Sequence, residues 1–164
     1  MGETLNEYNE QREKDGVLPH VSLTKEGVVP KTDRYNRDAL VVHDDKKYRV
    51  THFDDICYNP ANLKFGVICR NTFGAGIFSP IYVTFKVNQE YESAFIGLLV
   101  ARDSFIKRSL KYQEGTVYER MAVKPEDLLN IAIVTPMKEE QIQIGTFFQQ
   151  FDTLITLHQR KLDH

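Results

Sequence analysis

The segment from Glu139 to His164 constrains the fold more than any other stretch of this chain. Ile144, Phe147, Phe148, Phe151, Leu154, Ile155, His158 and Leu162 recur at intervals of three and four residues, with Gln143, Gln149, Asp152, Thr156, Gln159 and Asp163 between them. That period winds one apolar stripe along an α-helix. A helix this long at the edge of a small domain has more apolar surface than one sheet covers, so the stripe is predicted to meet a partner helix. The alternative is a terminal helix packed wholly on its own core.

The rest of the chain divides into two parts of different character. Met1 to Asp15 is mostly polar, with Leu5 and Tyr8 as large apolar residues, and is predicted to be a loosely packed lead-in with a helical turn or two. From Leu18 on, short runs of alternating or β-branched residues bounded by turn residues predict strands: Leu18–Leu23, Val28–Pro30, Tyr48–Val50, Phe53–Tyr58, Gly66–Arg70 and Ile77–Val87. Tyr91, Phe95, Leu98, Leu99, Arg102, Phe105 and Ile106 then recur at helical spacing, predicting one amphipathic helix from Glu90 to about Leu110. Lys124–Leu129 reads as a helical turn that starts on Pro125, followed by a buried strand at Ile131–Val134 that stops at Thr135-Pro136. The expected fold class is α+β: a twisted, mostly antiparallel sheet with packed helices and a long C-terminal helix. The expected organisation is a lead-in over 1–16, a domain over 17–136 and a helix over 137–164.

Several functions are disfavoured by what the residues lack. With 164 residues the chain can build one sizeable core. Its net charge of −2 gives no bulk electrostatic pull on nucleic acid, so any such binding needs a local patch. The polar N-terminus, the absence of a long apolar run and two strand-embedded cysteines, Cys57 and Cys69, predict a reduced, cytoplasmic chain.

Asn59-Pro60, in the stretch DICYNPAN, superficially resembles the Asn-Pro-Pro-aromatic loop of amino-methyltransferases. Here Ala61-Asn62 follows, so a turn is the better reading. The glycine cluster Gly74-Ala75-Gly76 leads into a strand, whereas a nucleotide-type cofactor site needs a strand-to-helix turn. The five histidines and two cysteines show no short metal-ligand pairs. No catalytic residue, metal or cofactor is expected in this chain.

Local charge is more informative than the total. Between Lys64 and Lys124 the bases Lys64, Arg70, Lys86, Arg102, Lys107, Arg108, Lys111, Arg120 and Lys124 outnumber the acids Glu90, Glu92, Asp103, Glu114 and Glu119. Several adjoin aromatic or amide side chains, as in Arg70-Asn71, Lys111-Tyr112-Gln113 and Tyr118-Glu119-Arg120. Lysine and arginine bind phosphates, while arginine and asparagine can pair with base edges. Candidate DNA contacts are Arg34, Tyr35, Arg37, Lys64, Arg70, Asn71, Lys111, Tyr118 and Arg120. A merely solvated charged face is the competing reading.

The order of GVVPKTDRYN, FDDICYNPANLKFGVI, GAGIFSPIYVTFKV, a helix, YERMAVKPEDLLNIAIVTP and EEQIQIGTFFQQFDTLITLHQRKLDH resembles a target recognition domain of a type I restriction-modification specificity subunit. The likeness covers about residues 17 to 164. Its most specific parts are Asp127 through Pro136, Glu140 through Gly145, and Ser79-Pro80-Ile81-Tyr82. The resemblance implies a non-catalytic subunit that reads one half of a split target in double-stranded DNA. It also implies docking of methyltransferase and restriction subunits, with S-adenosylmethionine and ATP held by those partners. The family usually carries two such domains separated by long helices, whereas this sequence shows one; a half-sized subunit and a truncated product are both open readings, and in the first the uncovered stripe would let the terminal helix form a homodimer. The rival expectation is an unrelated interaction module, an inhibitor or adaptor, acting through that helix alone.

Overall fold

The computed structural model describes residues 1–14, 16–31, 46–113 and 121–162. Among the described residues nine short strands come first: β1 (Leu5–Tyr8), β2 (Gln11–Arg12), β3 (Val21–Thr24), β4 (Gly27–Pro30), β5 (Tyr48–Thr51), β6 (Ile56–Tyr58), β7 (Ile68–Arg70), β8 (Gly76–Phe78) and β9 (Val83–Val87). Helices α1 (Ser93–Val100), α2 (Asp103–Ser109), α3 (Pro125–Leu129) and α4 (Lys138–Leu162) follow, with 3-10 turns at Leu63–Phe65 and Leu110–Tyr112. The main sheet has the order β1-β9-β6-β7, a second has β2-β5-β8, and β3-β4 forms a hairpin. All pairs of named strands are antiparallel. The α+β class read from the sequence is the class observed.

Alternation along β6 explains how the layers stack. Ile56 and Tyr58 face the main core with Leu5, Ile68, Phe85, Phe95, Ile96, Phe105 and Leu128. Cys57, one residue out of phase, faces the opposite side and packs with Val21, Leu23, Val28 and Phe78. Because strand side chains alternate between faces, a strand apolar at every position must be covered on both. Here helices cover one side and the hairpin with Phe78 the other.

Four expectations need correction. The N-terminal segment is no loose lead-in: β1 pairs with β9 from Leu5↔Val87 to Tyr8↔Thr84, and Met1 and Leu5 are buried. A single buried leucine on an edge strand leaves little periodicity to read, which is why the segment resembled a tail. The stretch from Glu90 to Leu110 is two helices, because Arg102 is extended at φ −68°, ψ 137°. A continuous helix would set Phe105 about 140° round from Val100; the break brings both into the one core.

Ile131–Val134 joins no sheet. Only Ile131 is buried, and Val134 is 95% exposed. The segment is held by end groups and side chains: the Met1 ammonium donates to the Ile131 carbonyl at 2.7 Å, and Arg108 Nη1 to that of Ala132 at 2.7 Å. The run Ile77–Val87 is likewise two strands in different sheets, divided by a turn in which Tyr82 N–H donates to the Ser79 carbonyl at 3.1 Å. Proline at the second position of a turn suits its fixed φ.

Candidate nucleic-acid interface and docking helix

α4 is docked at one end and bare at the other. Its first turns pack on α1, where Gly145 lies so close to Ala94 that an added Cβ would stand 2.9 Å from the Ala94 Cβ. Gln141 is buried between them. Its Oε1 accepts from the Glu92 N–H at 3.0 Å, at the N-cap of α1, and its Nε2 donates to the Pro136 carbonyl at 2.9 Å. Helix N-termini leave backbone donors unsatisfied, and α1 has no side-chain cap of its own; a glutamine from another helix supplies the acceptor. Lys138, also at the start of α4, donates to the Gln89 carbonyl.

Beyond this dock every residue from Thr146 to Leu162 is exposed. Phe147, Phe148, Phe151, Leu154, Ile155, His158 and Leu162 line this bare part, and Leu157, not on the predicted stripe, is half exposed beside them. The expectation that the domain leaves most of the stripe uncovered therefore holds for these residues. Ile144 differs, being partly buried against the main core. Phe147 packs edge-on against Phe148 and at a tilt against Phe151, so neighbouring turns cover one another in part.

The predicted DNA contacts separate. Arg34, Tyr35, Arg37, Tyr118 and Arg120 lie outside the described residues. Asn71 is fully buried, and its amide builds a loop: Nδ2 donates to Thr51 Oγ1 at 3.0 Å and the Gly74 carbonyl at 2.8 Å, while Oδ1 accepts from the Phe73 and Gly74 N–H groups at 2.9 and 3.1 Å. Those bonds occupy the positions it would turn to a base edge. Arg70 lies across Gly97 of α1 and donates to Asp54 Oδ1 at 3.2 Å. With its oxygen turned toward the guanidinium, the Gln149 amide of α4 accepts from Nη2 and Nη1 at 3.0 and 3.2 Å. Arg70 thus ties α4 to the sheet, with its side chain only 15% exposed.

Lys64 and Lys111 are exposed. The Leu63–Phe65 turn that carries Lys64 packs against α2, which bears exposed Lys107 and runs on into Leu110–Tyr112. A cavity of about 410 Å³ opens here, lined by Lys25, Lys64, Phe65, Gly66, Asp103 and Ile106 among others. It shares Lys25, Ile68 and Ala101 with an adjoining groove of about 310 Å³ that runs to Arg70, Gln149 and Asp152 beneath α4.

Other titratable groups are structural. Asp55 is a buried hub: its carboxylate accepts from Lys86 Nζ at 2.8 Å, the His52 N–H at 2.6 Å, Thr51 Oγ1 at 3.3 Å and the Tyr8 hydroxyl. Burial, and then the bond to Asp55, pushes the Tyr8 hydroxyl well above its usual range. Burial also raises the Cys57 thiol, and pushes Cys69 up to about 12. Thiols held protonated in this way are poor nucleophiles, in keeping with the reading of both as core residues. Among the described residues no group of three or more His, Cys, Asp or Glu side chains could hold a metal ion, and no helix is long and apolar enough to cross a membrane. Asn59-Pro60 is a turn, with Asn59 Oδ1 accepting from the Ala61 N–H at 3.1 Å.

The sequence placed Gln141 and Gly145 within the stretch Glu140 through Gly145 without giving either a role, and it did not single out Lys25, Phe65 or Asp55. Gln141, Gly145, Lys25 and Asp55 act through neighbours distant in sequence, while Phe65 stands beside Lys64.

The architecture is an α+β module whose terminal helix is half docked and half free. It is the fold of type I restriction-modification specificity subunits. On the HsdS subunit from Thermoanaerobacter tengcongensis, 97% of this chain aligns with 42% of that chain, at TM-score 0.62 and 19% identity. On a chain from a structure of the type I R-M system, 98% of this chain aligns with 39% of that chain, at TM-score 0.55 and 12% identity. The chain therefore spans about two-fifths of the length of these solved structures. No protein-family model matches the sequence. No curated protein matches it either.

Proposed function

We propose that this chain is a DNA sequence-recognition unit of a type I restriction-modification enzyme. It reads one half of a bipartite target and performs no chemistry itself. The observation that carries this reading is the likeness to HsdS over 97% of the chain. The local charge supports it, since Lys64, Lys107 and Lys111 stand exposed on α2 and the two 3-10 turns packed against it, in a chain whose net charge is −2. In this reading the lysines meet phosphates, and Arg34, Tyr35, Arg37, Tyr118 and Arg120 join them as candidate contacts. Arg70 and Asn71, whose polar atoms are engaged within the protein, stand behind these.

The free part of α4 pairs with a second copy of the chain. The uncovered stripe supports this pairing, since Phe151, Leu154 and Ile155 have no cover from the domain. A two-fold pair would read a palindromic split target, because protein symmetry is mirrored in the site. Methyltransferase and restriction subunits, carrying S-adenosylmethionine and ATP, are the further partners. Methylome sequencing of cells with and without the gene tests the reading. Loss of a bipartite adenine-methylation motif is expected, and an unchanged methylome refutes it. The second reading, an interaction module acting through α4 alone, is favoured by the exposed stripe and predicts no DNA affinity.

A further inference from the structure

We infer that the cavity walled by Lys25, Lys64, Phe65 and Asp103 is a backbone-phosphate site for one strand of bound DNA, an inference that rests on the recognition reading above. Lys25 sits in the turn between β3 and β4, and its stem lies over Gly66, with Cε 3.5 Å from where a Gly66 Cβ would be. Gly66 holds φ +78°, a left-handed value that glycine adopts without strain. The close approach brings Lys25 to the cavity that Lys64 also lines, although the two are far apart in sequence.

Among the described residues neither lysine has a carboxylate within ion-pair distance. Asp103 lines the same cavity without pairing to either. Two ammonium groups on one concavity repel each other and are both relieved by an anion placed between them. One unpaired carboxylate leaves the site net positive, so Asp103 acts as a brake on affinity and not as a counter-ion. The volume of about 410 Å³ falls within the range of small-ligand sites.

Phe65 marks the ligand as more than an isolated anion. It is 62% exposed at the rim, with Lys64 Nζ 5.0 Å from the ring centre. An aromatic face beside two ammonium groups matches a nucleotide strand, in which a sugar or base lies next to each phosphate.

The test is anisotropy of a labelled random-sequence duplex with the full chain over a salt series, repeated with inorganic phosphate as competitor at fixed ionic strength. Each neutralised phosphate contributes roughly 0.9 to the slope of log affinity against log salt, so K25A/K64A, which removes the site for one phosphate, should lower the slope by about 0.9. Extrapolated to 1 M salt, that is about fivefold weaker binding at 150 mM. Phe65→Leu should weaken binding about fivefold, the low end for stacking, with the slope unchanged. Asp103→Asn should strengthen it. Lys25, Lys64 and Asp103 are exposed, so the variants should fold, and an unchanged melting temperature checks that they do. If the wild-type chain binds and K25A/K64A binds equally well with the same slope, the site is refuted and the recognition reading stands. Displacement of the duplex by millimolar phosphate would make this a free-anion site and overturns the strand assignment. If the wild-type chain binds no duplex, both readings fall.

Discussion

Replacing Gln141 with alanine should destabilise the protein far more than a glutamine on a long polar helix would suggest. Gln141 is 2% exposed and joins three elements: α4, the N-cap of α1 through the Glu92 N–H, and the approach to α4 through the Pro136 carbonyl. Alanine removes two hydrogen bonds, each worth about 1 kcal/mol net, and leaves a part-buried N–H without its acceptor, which costs about 1–3 kcal/mol. Part of this overlaps, so about 2–4 kcal/mol is expected. At roughly 2–4 °C per kcal/mol for a chain of this size, the melting temperature should fall by about 4–16 °C. Gln141→Glu keeps the acceptor for Glu92 but sets a carboxylate against the Pro136 carbonyl, so it too should destabilise at neutral pH. Gln143→Ala, two residues on and exposed, should stay within about 0.5 kcal/mol. Urea denaturation followed by circular dichroism gives all three midpoints. Equal midpoints for Q141A and Q143A would show that the buried amide does not hold α1 and α4 together.

Other outcomes follow from the same contacts. Gly145→Ala gains about 1 kcal/mol of helix propensity yet presses a Cβ to 2.9 Å from Ala94; overpacking costs about 1–3 kcal/mol, so the urea midpoint should be unchanged or lower, and a clear rise would refute the tight approach. The buried thiols make the fold sensitive to alkali. Their folded values lie above the unfolded value of about 8.5, so their contribution is complete below that pH and is lost as pH rises toward about 12 for Cys69. In reducing buffer, stability should fall above pH 9 by up to about 1.4 kcal/mol per pH unit for each thiol. Phe151→Asp with Leu154→Asp changes residues exposed in the single chain, so the monomer should keep its circular dichroism while sedimentation shows loss of the dimer. A wild-type chain that sediments as a monomer at tens of micromolar, an order-of-magnitude loading for weak association, would refute the pairing.

The sequence made the helices and the bare stripe legible because periodicity survives wherever one face meets water. β6 was visible for the reason that its residues are apolar on both faces. What failed depended on distant partners. The helical run of 90–110 contains no proline, and its one glycine, Gly97, lies inside α1 and five residues before the break at Arg102; the break comes from the need to bury Phe105 beside Val100. Ile131–Val134 has strand composition, but the N-terminal ammonium and Arg108 take carbonyls that a neighbouring strand would have used. At the candidate site, composition nominated arginine and asparagine for base contact, yet burial directed Asn71 to a loop and Arg70 to α4. Lys25 lay outside the basic stretch, because its turn meets the cavity only after the hairpin folds over Gly66.

The half-docked helix also behaves as a lever. From Gly145, where α4 rests on Ala94, to Leu162 it extends about 25 Å at 1.5 Å per residue. A tilt of only about 8° at the fulcrum would carry the tip through roughly 3.4 Å, one step along a DNA strand. In a recognition unit of the kind proposed, the angle fixed by a glycine, a buried glutamine and the Arg70–Gln149 contact would be read at the far end as a change in the spacing between half-sites.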